Sequence, residues 1–506
     1  MKRVLLLIVD ALTAPLLLAE LENGRYPHIQ QLREKGVLRE QCVSIFPSIT
    51  HAALTSIVTG KYPAEHGIVG SHWYDLQAKK VAYFSGSLEM VFQKGLGNFF
   101  REFLLELNHK HLSTQTVFQQ LEQEGYETAC LNFLIYRGDV EHEVNMPLFL
   151  KWIPGLPANT TIKGPQKLLL GNLLTNPNEL DIEASFTGVA HWFGFRDENT
   201  IDLLLQLAEK DEFPDFTLAY FPENDKRCHD KGPVEAHQHL GNIDDMLCDL
   251  FKLYGGIDSF LEQFMLVITG DHSQSETVSI DEGEEIDLQQ VLAEYQLAEA
   301  GQPWQDEDEI MSCPNLRAAQ IYLKTVTSKR MDDVIDTLLA DERIDQLIYR
   351  AELHNEGKGF VVQNQNGRLR FWHSAQGTSD QYDNHWNWEG ELQVVDGRIQ
   401  NNILIFPDYP NAFERIAGVL DSPNSGHIWL TAKIGYEFTV PYEKTNPSGG
   451  SHASLHRLDS QPPLLVAGAP QHVTIPEQPR IIDIAPLTPS CFHPPTLLRF
   501  HYRLLS

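Results

Sequence analysis

Positive charge is scarce in this chain. Lysine and arginine number 39 against 69 aspartates and glutamates, a formal net charge of -30 over 506 residues. A sequence-independent binder of nucleic-acid polymer needs basic surface to displace counterions from the phosphate backbone, so the balance argues against that class. Any nucleotide would be a small substrate held at a local site. Cysteine is sparse too. Cys42, Cys130, Cys228, Cys248, Cys313 and Cys491 are scattered with no Cys-x-x-Cys pair, which suits a reduced protein better than a disulfide framework. No stretch reaches the ~20 apolar residues that span a bilayer, so no transmembrane segment is expected. No repeat of fixed period occurs. The opening Met-Lys-Arg and the apolar residues 4–9 imitate a secretory leader. Asp10 interrupts the run, Glu20 breaks the next one, and no small-residue cleavage pattern follows. The run is read as a buried first strand, and a cytoplasmic location is expected.

What is present is the composition of a soluble globular protein, 42% hydrophobic and 21% charged. Residues 2–9 are read as a strand whose residues 4–9 form a continuous apolar run with β-branched members, the mark of a parallel strand covered on both faces, and Asp10 stands at its carboxyl end. The pattern recurs at residues 216–221, which lead to Asp225, and at 264–269, which lead to Asp271 and His272. Helical periodicity marks residues 234–254, closed by Gly255-Gly256, and 116–124, stopped at Gly125 ahead of a strand at 128–133. Strands alternating with helices predict an α/β fold, an open and mostly parallel sheet with helices on both faces. Ligands in such sheets bind beyond the carboxyl ends of the strands. Asp10, Asp225 and Asp271 all fall there.

The C-terminal half changes character. Asn366-Gly367 and Asp396-Gly397 lie between strand-like runs and read as hairpin turns. Residues 345–440 are therefore expected to form an inserted β-rich accessory module, entered after a helix near 331–341. Residues 1–344 and 441–506 would make the α/β domain, with a further insertion at about 75–200. That insertion carries an apolar, proline-rich stretch at 147–174, read as a surface subdomain ahead of a lid or substrate wall. The acidic clusters at 281–285 and 306–309 are read as solvated loops.

Three segments carry chemistry. Asp225 and His229 are four residues apart, a spacing that puts a carboxylate and an imidazole on one face of a helical turn, able to chelate one cation. A hydrogen-bonded surface pair would explain this spacing equally well on its own. Asp271-His272 follows a strand directly, where adjacent residues can converge on one ion; an Asx turn is the plain alternative. In Pro47-Ser48-Ile49-Thr50-His51, Thr50 opens a helix of about ten residues ending at Gly60. A helix N-terminus offers free N–H groups and a positive dipole end to a phosphoryl oxygen. His452 sits in the glycine-containing loop Ser448-Gly449-Gly450-Ser451-His452.

Together these residues resemble the alkaline phosphatase superfamily, and within it the type I phosphodiesterase/nucleotide pyrophosphatase family. The resemblance runs in order through Asp10, the Pro-Ser-x-Thr segment at 47–50, Val58-Thr59-Gly60-Lys61-Tyr62-Pro63-Ala64-Glu65-His66-Gly67-Ile68, and Asp225-x-x-x-His229 before Gly232-Pro233. It continues through Asp271-His272, His452 ahead of residues 463–467, and the closing residues 480–486. It implies an alkaline-phosphatase-like fold and two divalent metal ions, zinc by ligand type, with manganese or iron compatible. One ion would be held by Asp225, His229 and His452, the other by Asp10, Asp271, His272 and the Thr50 oxygen, with His456 as the alternative last ligand. Thr50 would be the nucleophile of a covalent, ping-pong route through a phosphothreonine-type intermediate, with Ser48 as a substitute.

Two departures from the family pattern concern substrate. His51-Ala52-Ala53 replaces a Phe-Pro-Asn run, and Ser71 stands where the family has a phosphate-holding asparagine. The leading reading is a hydrolase of small phosphate esters, a phosphodiesterase/nucleotide pyrophosphatase. The rival on the same site is a phosphomonoesterase or phosphonate hydrolase, and the rival of another class is a non-hydrolytic mutase, head-group transferase or binding protein.

Overall fold

A computed structural model describes residues 2–84, 101–144, 160–171, 174, 196–441 and 443–492. The greater part of the stretch expected at 147–174 lies outside these residues. The central sheet has the strand order Val37–Arg39, Leu464–Ala467, Phe264–Thr269, Arg3–Val9, Phe216–Phe221, Thr128–Leu131, Lys167–Leu169. Arg3–Val9 runs parallel to both neighbours, and Thr128–Leu131 to both of its own. Leu464–Ala467 is the antiparallel member.

The sheet is parallel at its centre because its strands are apolar on both faces. Every residue of Phe216–Phe221 and Phe264–Thr269 is buried. Alternate side chains of the first strand divide between two cores. Val4, Leu6 and Ile8 join one that includes residues of the helices Thr50–Thr59, Val117–Gln123, Ala412–Leu420 and Ile484–Ser490. Leu5, Leu7 and Val9 join the other, with helices Ala14–Glu22, Pro27–Lys35, Asp197–Glu209, Gly241–Leu253 and Ile257–Gln263. Helices thus cover both faces, as the alternation of strand and helix predicts.

A second sheet, antiparallel throughout, has the order Ile310–Asn315, Ala318–Leu323, Ile428–Ala432, Ile344–Arg350, Phe360–Asn364, Gly367–Ser379, His385–Gly390. Its first hairpin precedes residue 345. One face shares a core with the central sheet, through Val362, Phe371 and Trp386. The other is covered by the helix Ser328–Leu339, capped by Thr327.

Asn364 pairs with Gly367, so this hairpin lies where the sequence puts it, but its two turn residues are Gln365 and Asn366 and Gly367 already begins the second strand. Asp396-Gly397 is different: Asp396 ends a short 3-10 turn, Leu392–Val395. The adjacent hairpin, Arg398–Gln400 with Ile403–Ile405, turns at Asn401 and Asn402, both left-handed with φ of 52° and 64°. A two-residue turn of the type that suits strand twist needs positive φ at both positions, which two asparagines tolerate. The helix expected at 234–254 is also interrupted, into Pro233–Ala236, a 3-10 turn, and Gly241–Leu253. His237 lies at the break. Its Nδ1 donates to Pro233 O at 2.8 Å and its Nε2 accepts from Thr13 N at 2.9 Å, a tertiary tie that overrides local periodicity.

Candidate metal centre and active site

The register Ile8↔Thr269 and Val9↔Phe221 brings three strand ends level. Asp10 leaves the first strand at once and is nearly sealed, 3% exposed. The Tyr220 phenol donates to its Oδ2, and Asn224 Nδ2 donates to its carbonyl at 2.8 Å. After Phe216–Phe221 the chain coils into the helix Glu223–Lys231, with Asp225 in the first turn and His229 in the last. The four-residue spacing then does what helical geometry requires, placing His229 Nε2 3.4 Å from Asp225 Oδ1. Asp271 and His272 follow Phe264–Thr269 and are fully buried. His452 arrives from the opposite side, its ring stacked on that of His272 at 3.7 Å.

The donor atoms converge as two groups, Asp10, Asp271 and His272, and Asp225, His272 and His452, each spanning no more than 4.8 Å. His272 belongs to both. His272 Nε2 is 3.5 Å from Asp10 Oδ1 and 3.4 Å from Asp271 Oδ2, and His452 Nε2 is 3.7 Å from Asp225 Oδ1. All seven of the sequence-derived residues lie at this place, Thr50 included: its Oγ1 is 3.2 Å from His272 Nε2. His456 does not join them. It caps the short helix Arg457–Ser460, its Nδ1 accepting from Leu458 N. Ser48 is also committed elsewhere, its hydroxyl donating to Ser454 O at 2.9 Å.

The donor set fits divalent cations on two observations. First, each imidazole engages a backbone carbonyl through Nδ1: His229 with Gly450 O and His452 with Ser48 O, both at 2.8 Å, and His272 with Ser273 O at 3.2 Å. Donation from Nδ1 leaves a lone pair on each Nε2, and all three Nε2 atoms face carboxylate oxygens across gaps longer than a hydrogen bond. Acceptors facing acceptors in a dry interior repel unless a cation lies between them. Second, Asp10 Oδ1 and Asp271 Oδ2 are buried with no hydrogen-bond partner. Burial, then the charges of Asp271 and Asp225, pushes the Asp10 carboxyl well above its usual range, and burial likewise raises Asp271. Burial, then His272 and His229, holds His452 neutral, far below the usual imidazole range. A neutral imidazole such as that of His452 and deprotonated carboxylates are the forms that bind metal.

Thr50 is the first residue of its helix, after an Ile49 cap that supplies no side-chain hydrogen bond. The first-turn N–H groups are therefore left for an anion. The glycines of the last loop have a steric reason. A Cβ on Gly449 would sit 1.9 Å from His229 O, and one on Gly450 would meet Gln274 Oε1 at 2.6 Å. Only bare backbone lets the loop carrying His452 close on the helix carrying His229.

Sequence reading missed the groups that hold the donors. Tyr220 and Asn224 anchor Asp10, and Gln274 Nε2 donates to Asp225 Oδ1. Tyr220 has a signal, as a hydroxyl in an apolar strand one residue from its end. The two departures from the family pattern turn out to touch: His51 Nδ1 and Ser71 Oγ are 2.8 Å apart. Burial pulls His51 down to about 4, so the ring is neutral. Lys226 is exposed and Arg227 pairs with Glu223, so neither enters the site.

Comparison with known proteins agrees with this geometry. Bis(5'-adenosyl)-triphosphatase of Bos taurus is 43% identical over 60 residues, 12% of this chain and 13% of that protein; the human protein is 42% identical over 67 residues. The chain thus matches only a small part of these relatives' length. The fold is that of murine ectonucleotide pyrophosphatase/phosphodiesterase 5, with a TM-score of 0.55, 14% identity and coverage of 96% and 94% of the two chains. It is equally that of phosphonoacetate hydrolase from Sinorhizobium meliloti 1021, with a TM-score of 0.57, 16% identity and coverage of 97% and 96%. A further murine structure is an inactive threonine-to-alanine variant in complex with AMP. The type I phosphodiesterase/nucleotide pyrophosphatase family model matches residues 4–455, and this chain belongs to that family.

Proposed function

We propose that this protein hydrolyses small phosphate esters, nucleotide-type phosphodiesters foremost, with Thr50 as the nucleophile and two zinc ions as cofactor. One observation carries the reading: the Thr50 hydroxyl lies 3.2 Å from His272 Nε2, and His272 is the residue common to both donor groups. Asp225, His229 and His452 would hold one ion, and Asp10, Asp271, His272 and Thr50 the other. Mixed carboxylate and imidazole donors suit zinc. Bound there, the two ions supply positive charge that acidifies the Thr50 hydroxyl and offsets the charge of the phosphoryl group.

The chain's own groups do the rest. The first turn of Thr50–Thr59 fixes the hydroxyl and turns N–H groups toward the phosphoryl oxygens. The Oγ1–P bond forms as the bond from phosphorus to the leaving alcohol or phosphate breaks. Water then adds to phosphorus and breaks the Oγ1–P bond of the Thr50 phosphoryl ester, releasing the monoester (or phosphate) product and returning the Thr50 hydroxyl. The AMP complex of the murine neighbour, formed by a threonine-to-alanine variant, agrees with this assignment.

The test is turnover of bis-p-nitrophenyl phosphate and the p-nitrophenyl ester of thymidine monophosphate against p-nitrophenyl phosphate by zinc-loaded protein. Preference for the diesters supports the reading. Preference for the monoester moves the protein to the phosphatase branch, and no turnover of any ester contradicts hydrolysis.

A further inference from the structure

One buried ion pair joins the second sheet to the metal centre. Arg317 sits in the two-residue turn between Ile310–Asn315 and Ala318–Leu323, where Leu316 takes a left-handed φ of 59° and Asn315 pairs with Ala318. The turn inserts the guanidinium into the interior: the Arg317 side chain is 1% exposed and its partner Asp459 0%. Arg317 Nη1 donates to both Asp459 carboxylate oxygens at 2.6 Å and to Ser275 Oγ at 2.8 Å, while Nη2 donates to Ala432 O at 3.0 Å.

Apart from the Ala432 bond, which ties the guanidinium to its own sheet, these contacts lead to segments bearing donor residues. Arg317 N donates to the carbonyl of His452 itself, at 3.0 Å. Asp459 Oδ2 accepts from Ser454 N and Oγ, two residues beyond His452. The Asp459 carbonyl accepts from Ser273 N, next to His272, and Ser275 Oγ donates to Asp459 Oδ1 at 2.8 Å. The His452 ring has no tie to the central sheet's strands comparable to that of Asp10. Its Nδ1 bond to Ser48 O orients the ring; the residues on either side pair with Ser275 and Ser48, and the His452 carbonyl itself and the chain beyond it are held by Arg317 and Asp459.

We propose that Arg317 is a positioning residue of the metal centre: acting through Asp459 and the His452 carbonyl, it sets the affinity of the ion held by Asp225, His229 and His452. The inference rests on the two-metal reading above. It makes the second sheet part of the active site's support, because the residue that sets one half of the centre comes from a hairpin of that sheet. A buried ion pair is costly to form and costlier to break one-sidedly. Its retention beneath a metal-binding loop has a functional reason if it fixes a ligand, as groups behind ligands commonly change affinity by about 10–100-fold.

The experiment is zinc binding by chelator competition on the full chain, together with thermal melting, for wild type, Arg317→Lys and the neutral pair Arg317→Gln/Asp459→Asn. The double variant leaves no buried charge unpaired, so it keeps the fold testable. The expected result is one ion bound at wild-type affinity and the second weaker by about 10–100-fold, with turnover restored by excess zinc in both variants. Folded variants that bind both ions at wild-type affinity, or both equally weakly, overturn the proposal. Failure of both variants to fold also overturns it, making the pair a fold determinant alone. A wild type that binds fewer than two ions contradicts the two-metal reading instead, a result distinct from a two-ion wild type with unchanged variants.

Discussion

Asp10 is held by its neighbours with one oxygen open to a proton or a metal cation. One carboxylate oxygen takes the Tyr220 phenol, and the other is buried without a partner. Tyr220→Phe removes the donor without removing the ring, so the strand keeps its packing and Asp10 gains a rotational freedom it now lacks. Zinc affinity at the Asp10 side should fall by about 10–100-fold, read by chelator competition at unchanged secondary structure. Unaltered affinity would show that the phenol merely fills space. The donor residues were legible because carboxylates and imidazoles at strand ends are rare enough to notice together. Tyr220, Gln274 and Arg317 were not, because their roles come from approach by segments distant in the chain, and no local period encodes that.

Among the elements, the loop that delivers His452 is braced by an unusual pair. Glu437, at the start of the strand Glu437–Thr439, accepts from Asn446 N at 2.6 Å. Facing it is Glu284, fully buried, with neither carboxylate oxygen partnered. Burial, then Glu437, pushes the Glu284 carboxyl up to about 8 from an ordinary 4.5. The folded state thus keeps a proton that the unfolded chain releases near pH 4.5. Stability from this group is complete below that pH and is lost as pH rises toward about 8. Glu284→Gln removes the dependence. Its melting-temperature advantage over wild type should grow with pH across that window; an advantage constant with pH would contradict a proton retained on Glu284.

The strands and most helices at this scale follow the apolar pattern closely, Thr50–Thr59 and its Gly60 stop being one example. The 234–254 helix does not, because His237 is tied to Thr13 across the fold. The second hairpin turn was misplaced because Asn401-Asn402 is a less familiar left-handed pair than Asp396-Gly397.

For the molecule as a whole, the centre is a place where folding concentrates negative charge. In the metal-free protein, Asp10 and Asp271 are raised carboxyls, so folding is opposed increasingly as pH rises above the ordinary carboxylate range. On the two-metal reading a bound divalent ion would reverse this by binding the folded state alone, worth about 2.7 kcal/mol at a hundredfold excess over Kd. Chelation should therefore lower the melting temperature, zinc should restore it, and the gap should widen with pH. A melting temperature indifferent to chelator would place the metals outside the folded architecture.

The mostly parallel sheet was readable from the sequence because burial on both faces writes continuous apolar runs. The joining of the second sheet to the first was not. It rests on Phe46 packing against Trp429 of the second sheet, ring centroids 5.2 Å apart, and on the Arg317–Asp459 pair, contacts between segments that look independent along the chain.

The most direct measurement is the intact mass of zinc-loaded protein quenched in acid during turnover of the p-nitrophenyl ester of thymidine monophosphate. A thymidylyl adduct on Thr50, absent in Thr50→Ala along with a loss of turnover of at least about 10³-fold, is the predicted result. Turnover that survives in Thr50→Ala, or an adduct on any other residue, would contradict the account.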